Sequence, residues 1–215
     1  MSHFHRPDQA PETRGVVIHW ALPYDALFDR MLRPSEASIC NLAQVKPGNK
    51  VLDIGCGSGR LTIAAQNWVG PTGEALGIDP SQEMIKTARE KAARVGSAAK
   101  FEVGLVEAIP YPDATFDVVL SRLVLHHLPG DLKQRGLAEM RRVLKADGLC
   151  LVVDFEPPKS PILHHLVENL LSPVMAQINV RDYLPILVEA GFTEVETGPT
   201  SSKLLSFVRG RSPRK

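Results

Sequence analysis

The sequence predicts an α/β fold: a mostly parallel sheet of seven strands, with helices on both faces, that ends in an antiparallel hairpin. Short apolar runs alternate with helical patterns from residue 50 onward, and glycines cluster where the first run meets the next helix. Such alternation is typical of parallel strands joined by right-handed crossovers. The last two apolar runs are separated only by residues 198–203, and so short a connection joins antiparallel neighbours.

The individual elements follow from hydrophobic periodicity and from helix start and stop signals. Two helical patches, 24–31 and 35–44, precede the first strand, and Ser35 is a good capping residue for the second. The strands are predicted at 50–54, 74–79, 100–104, 117–121, 148–154, 192–197 and 204–209, and the later helices at 59–69, 81–95 and 131–145.

The length of 215 residues fits one α/β domain. We expect residues 1–19 to be a flexible segment without chemistry, 20–209 to be a single domain, and 210–215 to be a basic tail. The 25 basic and 24 acidic side chains leave a net charge of +1. Because a nearly neutral chain has no field that holds polyphosphate, nucleic acid is disfavoured as the main partner.

Cysteine usage and hydropathy bear on the cellular compartment. The cysteines at 40, 56 and 150 show no CxxC spacing, so the sequence predicts neither a disulfide framework nor a metal site. No apolar run is long enough for a membrane span, and the first residues lack the apolar segment of a signal peptide. We therefore expect a cytoplasmic protein.

The stretch Lys50–Thr62 reads as a ligand-binding loop between a strand and a helix. Its glycines follow the spacing Gly55-x-Gly57-x-Gly59, one residue shorter than the dinucleotide fingerprint, and Asp53 precedes them. A carboxylate at this place suits a cationic or amine-bearing ligand better than a phosphate. The next strand ends in Asp79, where a ribose-binding acid belongs in such a fold.

The chain resembles the class I S-adenosylmethionine-dependent methyltransferases, and within them the ubiquinone/menaquinone-biosynthesis methyltransferase-like branch. The resemblance spans roughly residues 20–209 and rests on several motifs in order. They are VLDIGCGSG at 51–59, GIDPSQEMI at 77–85, EAIPYPDATFDVVLSRLVLHHL at 107–128, LKADGLCLVVDFEP at 144–157 and LVEAGFTEVE at 187–196. It implies a Rossmann-like methyltransferase fold, S-adenosylmethionine as cofactor and S-adenosylhomocysteine as product.

The resemblance also implies which residues bind the cofactor. Asp79 would accept both ribose hydroxyls, because its two carboxylate oxygens match a vicinal diol. The methionine part would lie against Asp53, Gly55, Cys56 and Gly57, and the residues near its end would be Ser121, Arg122 and Tyr24. Pro80 and Met84 would adjoin the ribose and the adenine. The adenine would also be contacted by Val106 and Glu107. For Tyr24 and Arg122, a surface or packing role is an equal alternative. Leu105 departs from the family, which often has an acid there for the adenine amino group. Either the backbone around Val106 and the side chain of Glu107 replace that acid, or the adenine is held mainly by apolar contact.

Methyl transfer from a sulfonium needs alignment and exclusion of water more than a dedicated base. If the acceptor is a phenol or an acidic carbon, the candidate bases are the residues at the strand ends, His126, His127, Asp154 and Glu156. Either histidine could instead cap or pack its turn. The segment 161–178 has a broad apolar face, which is either ordinary core or a lid over a hydrophobic acceptor.

The sequence thus favours methyl transfer to a small, apolar or amphiphilic molecule through oxygen, carbon or nitrogen, by a monomer or homodimer. Residues 121–124 lack the Asn/Asp-Pro-Pro-aromatic element of enzymes that methylate base amino groups, which further disfavours nucleic acid. Two alternatives stay open. One is a catalytically inactive protein that binds S-adenosylmethionine, and the other, disfavoured by the glycine spacing, is a nicotinamide-dependent oxidoreductase.

Overall fold

A computed structural model describes residues 13–16, 36–157, 178–202 and 204–214. The predicted patch 24–31, Tyr24 itself and nearly all of the apolar segment 161–178 lie outside these ranges. The helices are α1 (Glu36–Leu42), α2 (Arg60–Val69), α3 (Gln82–Arg94), α4 (Gly130–Val143) and α5 (Tyr183–Glu189), with short 3-10 turns at Leu125–His127 and Val180–Asp182. The strands are β1 (Lys50–Ile54), β2 (Glu74–Asp79), β3 (Lys100–Val103), β4 (Phe116–Arg122), β5 (Leu144–Phe155), β6 (Thr193–Pro199) and β7 (Leu205–Arg211).

The strands form one seven-stranded sheet in the order β3-β2-β1-β4-β5-β7-β6. The pairs from β3 to β5 are parallel, whereas β7 pairs antiparallel with both β5 and β6. The predicted fold class, with its C-terminal hairpin, is therefore confirmed. After β3 the chain crosses to the other side of β1, so the strand order reverses between β1 and β4. Ligands of open α/β sheets bind at the carboxyl ends of the strands that flank such a reversal.

Two apolar layers cover the sheet, one on each face. On one face, Leu137 and Met140 of α4 and Leu187 of α5 pack on side chains such as Leu52 and Val119. On the other face, Ile39 of α1 and Leu61 of α2 pack on the alternate side chains, including Val51 and Leu120. Because neighbouring residues of a strand point to opposite faces, both layers draw on the same strands, and these strands read as continuous apolar runs.

The structure extends several of the predicted strands, among them β7 and β5. β7 continues to Arg211, and the backbone of Ser212 still bonds to Asp147 and Gly148, so part of the predicted basic tail belongs to the sheet. β5 starts at Leu144 rather than at residue 148, since its pairing with β4 shifts register between Phe116 and Val118. An irregular pairing of this kind leaves no mark on hydrophobic periodicity.

The part of the chain that the structure describes contains no helix that is both long and apolar enough to cross a membrane.

Candidate functional site

Each of the four central parallel strands carries a buried polar side chain at its carboxyl end. These side chains are Asp53 of β1, Asp79 of β2, Ser121 of β4 and Asp154 of β5, and none exposes more than 9% of its surface. Burying a carboxylate costs free energy unless hydrogen bonds or charges compensate. Three buried carboxylates and one buried hydroxyl lie at the same edge of the sheet, next to the reversal of strand order. They therefore mark this edge as the functional one.

A cleft opens at this edge, between the loop after β1 and the chain that follows β4. On the β1 side the cleft is lined by Asp53, Ile54 and the loop 55–58. On the β2 side it is lined by Asp79, Pro80 and Met84, together with residues 104–107 after β3. The lining residues after β4 are Arg122 to Val124, His127 and Leu128. The cleft thus joins residues of β1, β2 and β4 with the loop after β3, as the topology requires.

The two glycines at the start of the loop differ in what surrounds them. Gly55 has φ +64°, and a methyl group added to it would overlap the side chain of Val124. Gly57 has φ +51°, but an added methyl group would meet no atom within 4 Å. Left-handed backbone favours glycine at both places. Packing explains Gly55, whereas at Gly57 the open space beside the backbone belongs to the cleft.

Asp79 ties the loop to the end of β2. One carboxylate oxygen accepts the backbone N–H of Gly57 at 3.0 Å, and the other accepts that of Ser81 at 2.9 Å. The hydroxyl of Ser81 in turn accepts the N–H of Met84 and caps helix α3. Asp79 also lines the cleft, and a carboxylate group offers two acceptor oxygens.

Asp53 lies at the floor of the cleft and accepts the hydroxyl of Thr62 at 2.7 Å. Its burial raises the pKa of the carboxyl to about 6, although the hydrogen bond from Thr62 and the charge of Arg122 act in the opposite direction. At neutral pH the group is therefore ionised, but it is poorly solvated. A cation placed beside it would replace the lost hydration.

Charged residues around the cleft are predominantly acidic. Asp53, Asp79 and Glu107 face two guanidinium groups, those of Arg60 and Arg122. The two arginines also share the carboxylate of Glu36, at 3.3 and 3.6 Å. His127 also lines the cleft but adds no charge, since burial and the neighbouring His126 lower its pKa to about 4. This excess of acidic over basic side chains suits a ligand that carries more positive than negative groups.

Thr13, Gly15 and Val16 of the N-terminal segment line the cleft. The hydroxyl of Thr13 donates to Glu107 at 2.6 Å, Arg14 pairs with Asp131, and the N–H of Val16 donates to the carbonyl of His127. These partners are far away in the sequence. Local composition, which is polar and rich in proline before residue 15, could not reveal them.

The candidate bases lie together beside the cleft. Nδ1 of His126 is 2.8 Å from Oδ1 of Asp154, and the ring centroids of His126 and His127 are 3.9 Å apart. Of these three residues only His127 lines the cleft. Glu156 points to a different partner, because it pairs with Arg181 at 2.6 Å.

Most of the residues that the sequence singled out meet at this cleft. Those that line it are Asp53, Gly55, Cys56, Gly57, Asp79, Pro80, Met84, Val106, Glu107, Arg122 and His127. Ser121, His126 and Asp154 lie beneath or beside it, and the hydroxyl of Ser121 is buried without a hydrogen-bond partner in the described ranges. Tyr24 lies outside those ranges.

Sequence reasoning missed several residues of the site. Arg60 lines the cleft from the first turn of α2, directly after the glycine loop, and this position could have indicated it. Leu123 also lines the cleft, and it has the left-handed φ of +58° that is uncommon for leucine. No sequence pattern signals such a conformation. Strained backbone of this kind is common where a fold positions a ligand.

Comparison with known proteins agrees with the geometry of the cleft. A family model described as a methyltransferase domain matches residues 51–148. The chain is 36% identical to the ubiquinone/menaquinone biosynthesis C-methyltransferase UbiE of Ectopseudomonas mendocina, over 93% of this chain and 86% of that protein. It is also 35% identical to the uncharacterized methyltransferase YcgJ of Bacillus subtilis. That match covers 60% of this chain and 49% of the length of YcgJ.

The fold has solved counterparts as well. A crystal structure of a SAM-dependent methyltransferase from Aquifex aeolicus superimposes with a TM-score of 0.70 at 21% identity, covering 89% of this chain and 94% of that one. S-adenosylmethionine is the cofactor of this family, as the sequence resemblance implied. The identity and coverage of the UbiE match, together with the matched domain, show that the chain belongs to the class I S-adenosylmethionine-dependent methyltransferases, in a branch related to UbiE.

Proposed function

We propose that this chain transfers the methyl group of S-adenosylmethionine to a small, apolar or amphiphilic acceptor and releases S-adenosylhomocysteine. The observation that carries the proposal is the position of Asp79, a buried carboxylate that lines the cleft and anchors the glycine loop through Gly57. When bound, the cofactor supplies the electrophilic methyl group on a cationic sulfur. The acidic balance of the cleft supports the binding of a cation.

The residues present fit this cofactor. We assign the ribose hydroxyls to Asp79, which lines the cleft and whose two carboxylate oxygens match a vicinal diol, with Pro80 beside it. The methionine part is assigned to Asp53, Gly55, Cys56 and Gly57, with Arg122 toward its carboxylate end. The adenine is assigned to Met84, Val106 and Glu107. The hydroxyl of Ser121, which has no hydrogen-bond partner among the described residues, supports a polar contact at the methionine end, beside its chain neighbour Arg122. Tyr24 stays a prediction.

The apolar side chains of Leu123, Val124 and Leu128 on one wall support an apolar acceptor. Such a wall excludes water from the reacting atoms, which methyl transfer requires. Membership of a branch related to UbiE, whose named members act in ubiquinone and menaquinone biosynthesis, agrees with an acceptor of this character. The atom that is methylated, the cytoplasmic location, and the monomeric or dimeric state remain predictions from the sequence.

Titration calorimetry with S-adenosylhomocysteine tests the proposal. We expect Asp79→Asn to weaken binding about 10- to 100-fold, because hydrogen bonds to a charged group contribute roughly 1.5–3 kcal/mol each. The matched control is Asp117→Asn, at the opposite edge of the sheet, where the carboxylate also accepts a backbone N–H, that of Lys50. Equal affinities of all three proteins, or the absence of binding to the wild type, would contradict the assignment.

A pair of glycine variants separates the cost of backbone strain from the loss of the ligand site. Gly57 and Gly96 both have positive φ, +51° and +65°, and neither has an atom within 4 Å of an added methyl group. Alanine should therefore lower the free energy of unfolding of both variants by a similar amount, about 1–2 kcal/mol. Only Gly57→Ala should weaken S-adenosylhomocysteine, by about 10-fold, since overpacking costs roughly 1–3 kcal/mol. Similar affinities in the two variants would show that Gly57 does not adjoin the ligand.

The buried Asp53 predicts a pH dependence that is specific to the sulfonium. Its pKa of about 6 means that it loses its negative charge as the pH falls from 7 to 5. S-adenosylmethionine should therefore lose affinity relative to S-adenosylhomocysteine, which lacks the positive sulfur, over this interval. In Asp53→Asn, whose side-chain oxygen can still accept the hydroxyl of Thr62, the ratio of the two dissociation constants should stay constant. A constant ratio in the wild type would place the sulfonium away from Asp53.

A further inference from the structure

The N-terminal segment 13–16, which we call the strap, has contacts on both sides of the cleft. On the β4 side, the N–H of Val16 donates to the carbonyl of His127 at 3.1 Å, and Arg14 pairs with Asp131 at the start of α4. On the other side, the strap bonds to the loop that follows β3. The strap therefore joins two parts of the cleft that the sheet keeps apart, because β2 and β1 lie between β3 and β4.

The bond to the loop after β3 has a fixed direction. The hydroxyl of Thr13 accepts the N–H of Gly15 at 3.1 Å and donates its proton to Oε1 of Glu107 at 2.6 Å. Because a carboxylate accepts and an N–H donates, no other placement of this proton satisfies both contacts. Within the described ranges, no residue bonds to the other oxygen of Glu107, Oε2. The strap thus fixes one oxygen of a carboxylate that lines the cleft.

The order of the strands brings this carboxylate to the end of the cleft where the base of the cofactor belongs. In the proposed site, the methionine part adjoins β1 and the ribose adjoins Asp79 at the end of β2. Because β3 follows β2 in the sheet, a ligand that continues in this direction reaches the loop 104–107. Helix α4 fixes the chain just beyond that loop, since Glu139 accepts the N–H of Ile109 at 3.0 Å.

The amino group of adenine donates hydrogen bonds and needs an acceptor at this end of the cleft. In the loop after β3, Gly104 has no side chain, and those of Leu105 and Val106 are apolar. The carbonyl of Leu105 accepts the N–H of Ala108 at 3.3 Å. Among the side chains of residues 104–107, that of Glu107 alone offers acceptor oxygens.

We propose that Glu107 accepts a hydrogen bond from the amino group of the adenine, and that Thr13 is a positioning residue that holds the carboxylate for this bond. The inference rests on the proposed binding of S-adenosylmethionine and adds to it the residues that select the base. It decides between the two alternatives that Leu105 leaves open, in favour of a carboxylate further along the chain. Selectivity for adenine then depends on the strap.

Two physical effects give this pair its selectivity. A hydrogen bond to a charged acceptor is stronger than one between neutral groups, so the amino group gains more from Glu107 than from an apolar contact. A base with an oxo group at the same place would instead turn a second acceptor toward the carboxylate. The bond from Thr13 also removes part of the rotamer freedom of Glu107 before the ligand binds, which lowers the entropic cost of binding.

Titration calorimetry of the full chain with two ligands tests the proposal. S-inosylhomocysteine differs from S-adenosylhomocysteine in the base, where an oxo group replaces the amino group. We expect the wild type to prefer the adenosyl compound by about 10- to 100-fold. In Glu107→Gln the preference should fall to within about threefold, because an amide can turn either its oxygen or its NH₂ group toward the base. The matched control Glu102→Gln, whose carboxylate accepts the hydroxyl of Tyr111, should keep the wild-type preference.

Variants of Thr13 test its positioning role. Thr13→Val, which removes the hydroxyl at nearly constant shape, should lower the preference by about 3- to 10-fold, whereas Thr13→Ser should retain it. In the Glu107→Gln background, Thr13→Val should change the preference no further, because Thr13 acts only through Glu107. The control Thr193→Val, which removes a hydroxyl bonded to Arg211 in the C-terminal hairpin, should keep the wild-type value.

The same titrations separate this inference from the proposed function. Failure of the wild type to bind S-adenosylhomocysteine would contradict the proposed function itself. Normal binding without a preference for the adenosyl compound, or a preference that persists in Glu107→Gln, would overturn the assignment of Glu107. A Thr13→Val variant that weakens both ligands equally would show a merely structural strap and overturn the role of Thr13.

Discussion

The hydrogen bond from the backbone of Gly57 to the carboxylate of Asp79 joins the two halves of the site. It links the loop after β1 to the end of β2, and through Ser81 it continues to the first turn of α3. Backbone bonds from Cys56 to Ile78 and from Gly59 to Cys56 also hold this loop, and the bond from Gly57 couples it to the acid. The conformation of the loop and the orientation of the acid are therefore one constraint, and the cofactor site that we propose depends on it.

Hydrogen bonds to neighbouring elements also fix the other buried carboxylates at the same edge of the sheet. Asp53 is tied to Thr62 of α2, and Asp154 is tied to the turn after β4 and to α5. The ends of β1, β2 and β5 thus each present a carboxylate whose position is set by a neighbouring helix or turn. Preorganised carboxylates of this kind are suited to the binding of a cation, because they are already in place when it enters the cleft. The apolar layers on both faces keep the strands that carry these groups in register.

The fold and most of the site could be predicted because their signals are local. Apolar runs such as 50–54 and the glycines that follow them are contiguous in sequence, and the parallel topology then brings Asp53 and Asp79 to one edge. The contacts of Thr13 with Glu107 and of Tyr183 with Asp154 join residues that are far apart, and no periodicity encodes them. The left-handed conformation of Leu123 is likewise imposed by tertiary structure.

A crystal structure of the chain with S-adenosylhomocysteine tests the central claim most directly. The distances to measure are those from the two ribose hydroxyls to the carboxylate oxygens of Asp79. The account predicts both distances in the range of O–H···O hydrogen bonds, about 2.5–3.0 Å, while the bond from Gly57 to Asp79 persists. A ligand that occupies another site, or a ribose that leaves Asp79 bonded to the protein alone, would contradict it.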